Sequence, residues 1–226
     1  MKHKGIVVLI PTLNEAKAIG QTIDDVLEYL PECQVLILDS YSLNGTADIA
    51  RDKGAVVINA VKGGKGIALR SVLPQIIASS RVDYYVMIDG DFTYPAKHLP
   101  ELIKSLDNGA DVVIGYRDER AKGSMSRMNR IGNWGLSMLA SILYGTYVRD
   151  VCSGMWGFSK RALSGYKLSS KGFTLEADLF ANTIKGKYKL AQIPIEYRAR
   201  LDGSVAKLGV RDGFKIAWFL IRRRFA

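Results

Sequence analysis

The sequence predicts an α/β fold: a mostly parallel central sheet with helices on both faces. Two observations carry this. Short β-branched runs alternate with stretches of helical periodicity through the first half of the chain, as in a sheet wound with helices. Those runs are apolar almost throughout rather than alternating, as expected of strands covered on both sides.

The predicted strands are Ile6–Ile10, Val35–Leu38, Val56–Ile58, Tyr84–Ile88 and Val112–Ile114. Between the first two, Ile19, Ile23, Val26, Leu27 and Leu30 recur at helical spacing, and Thr12-x-x-Glu15 matches a capping box ahead of them. Residues 45–53, 65–80 and 100–108 also read as helices. After residue 115 the pattern changes. Arg117–Ser126 is polar and basic, a loop candidate, and Met128–Tyr147 is apolar with aromatic punctuation. Gly154–Ser159 and Leu190–Tyr197 read as strands around a helix over Thr174–Lys185, and Lys215–Phe225 is apolar-aromatic and ends in three arginines. No repeat, low-complexity tract or composition break divides the 226 residues, so a single domain is expected, with 1–115 and 116–226 as its two halves.

Nearly half the residues are apolar, which excludes a disordered or fibrous chain. Cys33 and Cys152 lie far apart and give neither a disulfide framework nor zinc spacing, which suits a reducing compartment. The apolar run after Lys4 is too short for a signal peptide and is broken at Pro11. No stretch approaches the ~20 apolar residues needed to span a bilayer, so a soluble or peripheral protein is expected. A net charge of +10 attracts polyanions such as nucleic acid, anionic lipid or phosphorylated substrates.

The strongest chemical signal is Asp89-Gly90-Asp91 after the strand at 84–88. Residues two apart in extended backbone point the same way, so both carboxylates can face one cation, and Gly90 admits a ligand closely. Strand carboxyl ends are where open α/β sheets bind ligands. Hard oxygen donors suit Mg²⁺ or Mn²⁺ bridging phosphates. Asp39 closes another strand and is either a turn residue or a carboxylate for a nucleotide base or ribose. Pro11, Thr12, Asn14 and Glu15 follow the first strand on the same edge, where a capping role and ligand contacts can coexist. Lys62-Gly-Gly-Lys65-Gly66 opens a helix whose N-terminus can take an anion, though it is not a nucleotide-binding P-loop.

Taken in order, Pro11-Thr-Leu-Asn-Glu15, Asp39, Gly64-Lys-Gly-x-Ala-Leu69, Asp89-Gly-Asp91 and Asp150-x-x-Ser-Gly154 resemble the family 2 inverting glycosyltransferases of the GT-A (Rossmann-like) fold. Gly172-Phe-Thr-Leu-Glu176-Ala-Asp178, Pro194-x-x-x-Arg198 and Gly203-Ser-x-x-Lys207 look like dolichyl-phosphate mannose synthase and its polyprenyl-phosphate relatives. The resemblance covers nearly the whole chain. It departs at Ser40, where the family often has a second acid, and at Thr93, where mannosyl-type synthases often carry Gln, which leaves metal geometry and donor identity open.

The resemblance implies a divalent ion, Mg²⁺ or Mn²⁺, on Asp89 and Asp91, with a nucleotide-sugar donor also near Lys65, Arg200 and Lys207. It implies a polyprenyl or dolichyl phosphate acceptor held by Arg117, Arg127, Arg130 and Ser153. Such an acceptor is its own nucleophile: the second pKa of a phosphomonoester is about 6, so it needs cations rather than a general base. Glu176 and Asp178 either orient the sugar or pair with arginines. Met128–Tyr147 and the segment around Trp218 read either as core helices or as interfacial helices for a membrane surface. No nucleic-acid partner is expected. Two other functions remain: a glycosyltransferase acting on a glycan or protein hydroxyl, which requires a carboxylate base, and a non-enzymatic basic module for membranes or polyanions.

Overall fold

A computed structural model describes residues 5–78, 81–118, 127–200 and 209–226. Seven strands form one sheet: β1 (Ile6–Thr12), β2 (Gln34–Asp39), β3 (Val56–Asn59), β4 (Tyr84–Met87), β5 (Val112–Arg117), β6 (Trp156–Ser159) and β7 (Leu190–Ile195). Their order is β3-β2-β1-β4-β6-β5-β7. β6 alone runs antiparallel to its neighbours, and the other pairings are parallel. The α/β sheet expected from the sequence is present.

Helices α1 (Ile19–Tyr29), α2 (Thr46–Asp52) and α4 (Leu99–Asp107) cover one face. Helices α3 (Lys65–Ile77), α5 (Arg127–Tyr144), α6 (Lys160–Ser164), α7 (Leu175–Lys185) and α8 (Val210–Phe225) cover the other. Successive residues of β1 serve opposite cores: Val7 and Leu9 pack with Leu69 and Val72, whereas Val8 and Ile10 pack with Ile23 and Leu102. Burial on both sides explains why this strand tolerates no polar residue before Thr12. Short α6 carries too few residues to show a period in the sequence.

Three expectations are corrected here. Thr12 does not cap α1, because β1 runs through it and its hydroxyl donates to Asp39 Oδ1 at 3.1 Å. The helix begins only at Ile19, after a turn in which the Glu15 carbonyl accepts the N–H groups of Ala18 and Ile19. Arg117 is not a loop residue but the last of β5, which pairs with β7 up to Arg117–Ile195. The strand expected from Gly154 starts at Trp156, since Ser153 and Gly154 form the turn that feeds it.

The register aligns Thr12 with Asp39, and Leu9 with Met87. The carboxyl ends of β1, β2 and β4 therefore meet at one edge.

Candidate active site

A cavity of about 800 Å³ opens at that edge. Its floor is the strand tips: Pro11 and Thr12 from β1, Ser40 after β2, and Asp89, Gly90 and Asp91 after β4. The N-terminus of α3 supplies Lys65, and the first turn of α7 supplies Glu176. Across from these, α5 and α8 form a wall that includes Gly132, Gly135, Leu136, Gly213, Phe214 and Ala217.

Lys65 joins parts of the chain far apart in sequence. Its Nζ donates to Asp89 Oδ1 at 2.7 Å and to Glu176 Oε1 at 3.0 Å. Burial works against the ammonium, but the two carboxylates overcome it and hold the Lys65 pKa well above the usual lysine range. Asp89 moves the other way. Burial pushes its pKa up to about 6, against the pull of Lys65 and with further push from Asp91 and Glu176. One lysine charge thus faces the two carboxylates it touches, Asp89 and Glu176.

The glycines ahead of Lys65 serve close approach. Gly64 has φ +93°, and a Cβ there would sit 2.5 Å from the Gly172 Cα. The Gly172 N–H also donates to the Gly63 carbonyl. Only glycine lets the α3 N-terminus come this near to the turn ahead of α7, and that approach sets Lys65 against Glu176. Gly154 acts similarly, since its Cα lies against the Asp89 carboxylate where a Cβ would meet Oδ2 at 2.4 Å.

Asp91 is buried and held from two sides. Its Oδ1 accepts the Thr93 hydroxyl at 2.6 Å, and its Oδ2 pairs with Arg200 at 3.0 Å. Arg200 is placed by the segment after β7. The Arg198 N–H donates to the Thr93 carbonyl, the Arg198 guanidinium pairs with Asp25 at 2.9 Å, and it stacks over Phe92 at 4.3 Å.

Arg117 faces the same cavity. Its Nε and Nη2 donate to Asp150 at 2.6 and 2.8 Å, and its guanidinium lies over the Tyr197 ring. Burial alone would raise the Asp150 pKa; the arginine outweighs that and holds it below the usual carboxylate range.

Several sequence-predicted residues stand elsewhere. Asp178 is fully buried and lines no part of the cavity. Its oxygens accept the N–H groups of Ser169 and Ser170, the Asn182 amide at 2.9 Å and Arg223 Nε at 3.1 Å. Of the two readings for this acid, the geometry is that of pairing with arginine. Ser153 is also fully buried, its hydroxyl donating to the Gly115 carbonyl, so it is not placed to meet an acceptor phosphate. Asp39 ends β2 outside the residues that line the cavity, its oxygens accepting the Thr12 and Ser42 hydroxyls and the Ser42 N–H. Asn14 is likewise directed at the residues after β2, accepting the Leu43 N–H. Arg130 is half-buried on α5 and is not among the residues lining the cavity, whereas Glu15 is. Lys207 and the Arg127 side chain lie outside the described residues.

Sequence reasoning missed Tyr94, Asp150 as the partner of Arg117, and the Lys65–Glu176 contact. The first has no motif, and the other two are long-range pairings that one sequence cannot display.

Helices α5 and α8 each carry a buried face and an exposed apolar face. Ala140, Tyr144, Ile216 and Leu220 are core. Met128, Ile131, Trp134, Met138 and Ile142 of α5, with Phe214, Trp218 and Phe225 of α8, are exposed. No helix among the described residues is long and apolar enough to cross a membrane.

Acidic strand tips under a glycine-rich helix start form the ligand-binding edge of an open α/β sheet. A family model described as Glycosyl transferase family 2 matches residues 7–166, and the chain belongs to that family and is a glycosyltransferase. It is 35% identical over 222 residues to Glycosyltransferase AglJ of Haloferax volcanii, spanning 96% of this chain and 71% of that one. It is 33% identical to the same organism's dolichyl-phosphate hexose transferase, spanning 86% and 83%. Among solved structures, glucosyl-3-phosphoglycerate synthase from Mycobacterium tuberculosis, in complex with Mn²⁺, UDP and phosphoglyceric acid, superposes with a TM-score of 0.76. The match covers 98% of this chain and 77% of that one at 24% identity, which shows the shared fold.

Proposed function

We propose that this enzyme transfers a hexose from a GDP- or UDP-sugar to a polyprenyl or dolichyl phosphate at a membrane surface, with a divalent ion on the donor diphosphate. The carrying observation is the state of Glu176. Among the described residues it is one of four carboxylates that line the cavity, with Glu15, Asp89 and Asp91, and its Oε1 accepts from Lys65 Nζ at 3.0 Å. A hydroxyl acceptor requires a general base, whereas a phosphate dianion requires only cations, and Arg117 lines the same cavity. The names of the relatives, dolichyl-phosphate hexose transferase among them, support the same acceptor class.

Among the described residues no group of three or more His, Cys, Asp or Glu side chains forms a metal cage. Mg²⁺ and Mn²⁺ sites of this kind need none, because the ion keeps waters and takes one or two carboxylates plus substrate phosphates. Asp89 and Asp91, hard oxygen donors on either side of Gly90 at the cavity wall, fit that requirement. They would hold the ion, which would neutralise charge on the departing nucleoside diphosphate. Lys65 and Arg200 already stand at those acids and are positioned to assist the same leaving group.

The exposed apolar faces of α5 and α8 flank the cavity mouth, and Arg222 and Arg224 lie exposed at the end of α8. Aromatics with arginines favour the headgroup zone of an anionic bilayer. The enzyme is thereby read as one catalytic domain, peripheral on the cytoplasmic face, with a donor half (1–115) and an acceptor half (116–226).

The test is transfer of radiolabel from GDP-mannose, UDP-glucose or UDP-N-acetylglucosamine to undecaprenyl or dolichyl phosphate with Mn²⁺ or Mg²⁺, with and without chelator. Chloroform-extractable label that chelator abolishes is expected. Absence of label with every donor refutes the reading. The hydroxyl-acceptor alternative predicts that Glu176→Gln removes transfer by a factor of 10² to 10⁴, as loss of a base does.

A further inference from the structure

We propose that Tyr94 is a further acceptor-binding residue, its phenolic O–H and Arg117 together cradling the phosphomonoester of the acceptor. This rests on the function proposed above. Tyr94 lies in the loop after β4, lines the cavity and is only 3% exposed. Its oxygen accepts the Gly154 N–H at 2.7 Å. Among the described residues nothing accepts the proton of the phenol itself. Burial holds that phenol protonated well above the usual tyrosine range, so it is a donor at any working pH.

The surroundings say what it donates to. The Tyr94 ring meets Tyr197 edge-on, with centroids 5.0 Å apart, and the Arg117 guanidinium lies 5.3 Å over the same Tyr197 ring. Arg117 is also the charge that acts most strongly on the Tyr94 phenol, ahead of Asp89 and Asp150. Asp150 occupies Nε and Nη2 of that guanidinium, and among the described residues Nη1 has no acceptor. Tyr94 and Arg117 thus line one cavity, and among the described residues each keeps a proton with no acceptor. Two convergent donors with a positive charge recognise an anionic oxygen, and a phosphate offers several. A sugar hydroxyl could accept from either group, but it is neutral and offers no charge to pair with the guanidinium.

The experiment compares wild-type protein and Tyr94→Phe in titrations with farnesyl phosphate, inorganic phosphate and Mn²⁺ with UDP or GDP. Losing one hydrogen bond to a charged group predicts roughly tenfold weaker farnesyl phosphate binding, with nucleotide affinity within about twofold. A matching loss for inorganic phosphate assigns the contact to the phosphate itself. Farnesyl phosphate binding far tighter than inorganic phosphate identifies the lipid ester, not free phosphate, as the source. Unchanged farnesyl phosphate affinity, or a loss confined to the Mn²⁺–nucleotide complex, overturns the inference, since Tyr94 would then serve only to seat Gly154 against Asp89. If the wild type binds no farnesyl phosphate, the proposed acceptor fails, and this assignment with it. Should Tyr94→Phe not fold, 3-fluorotyrosine at position 94 keeps the ring and both hydrogen bonds while strengthening the donor. It must tighten farnesyl phosphate binding, and no change overturns the inference.

Discussion

Asp178 and Glu176 lie two residues apart on α7, and substituting each by its amide should produce opposite phenotypes. In Asp178→Asn a buried carboxylate that accepts from four donors becomes a group with one accepting oxygen and one NH₂. Whichever way the amide turns, its NH₂ faces donors, and at least two N–H groups lose their partner. Each buried unsatisfied group costs about 1–3 kcal/mol. The Arg223 side chain is 20% exposed, so water offsets part of its loss. The sum is about 3–4 kcal/mol. With a urea m-value of roughly 2–3 kcal/mol/M, the unfolding midpoint should fall by about 1–2 M. Glu176→Gln instead leaves Lys65 paired with Asp89, so the midpoint should stay within about 0.5 M. Its transfer rate should fall about tenfold, because Lys65 loses one of the two acids that aim it at the leaving group. Urea unfolding followed by tryptophan fluorescence, beside the extraction assay, reads both quantities. The reasoning is refuted if Asp178→Asn costs less than about 1 kcal/mol while abolishing transfer, since that is the behaviour of a group in the chemistry.

Further predictions concern the metal edge, the thiols and the exposed helices. Gly154→Ala forces its new methyl into the Asp89 carboxylate, so Mn²⁺-dependent nucleotide affinity should drop about tenfold at a stability cost of about 1–3 kcal/mol, measurable by calorimetry and urea unfolding. Burial pushes the Cys152 thiol up to about 12 and the Cys33 thiol up to about 11. A raised thiol pKa means less thiolate at a given pH. At pH 8 Cys152 is then thiolate in about one molecule in 10⁴, against roughly a quarter for an ordinary thiol, so iodoacetamide should leave it unmodified until the protein unfolds, as mass spectrometry would show. Trp134→Ser with Trp218→Ser removes two exposed aromatics and should weaken co-sedimentation with anionic vesicles about tenfold or more, with nucleotide affinity unchanged.

The sequence by itself determined the sheet and its ligand-binding edge. Near-continuous apolar runs at 6–10, 35–38 and 84–88 cannot fold except with both faces covered, and the polar residues that end them must gather where the parallel strands stop. Asp89 and Asp91 were legible because two carboxylates around a glycine at such an end form a local pattern. Tertiary structure alone decided which acids face the cavity. Asp178 and Glu176 share a helix turn, yet one is drawn into the core by Arg223, 45 residues away, and the other is drawn out by Lys65, 111 residues away. The capping box at Thr12 failed for the same reason: a neighbouring strand's Asp39 offered the hydroxyl a better partner than its own helix. Spacing along a chain fixes backbone direction, but the partner of a charged side chain is chosen by whatever the fold brings within 3 Å of it, and that information is not local.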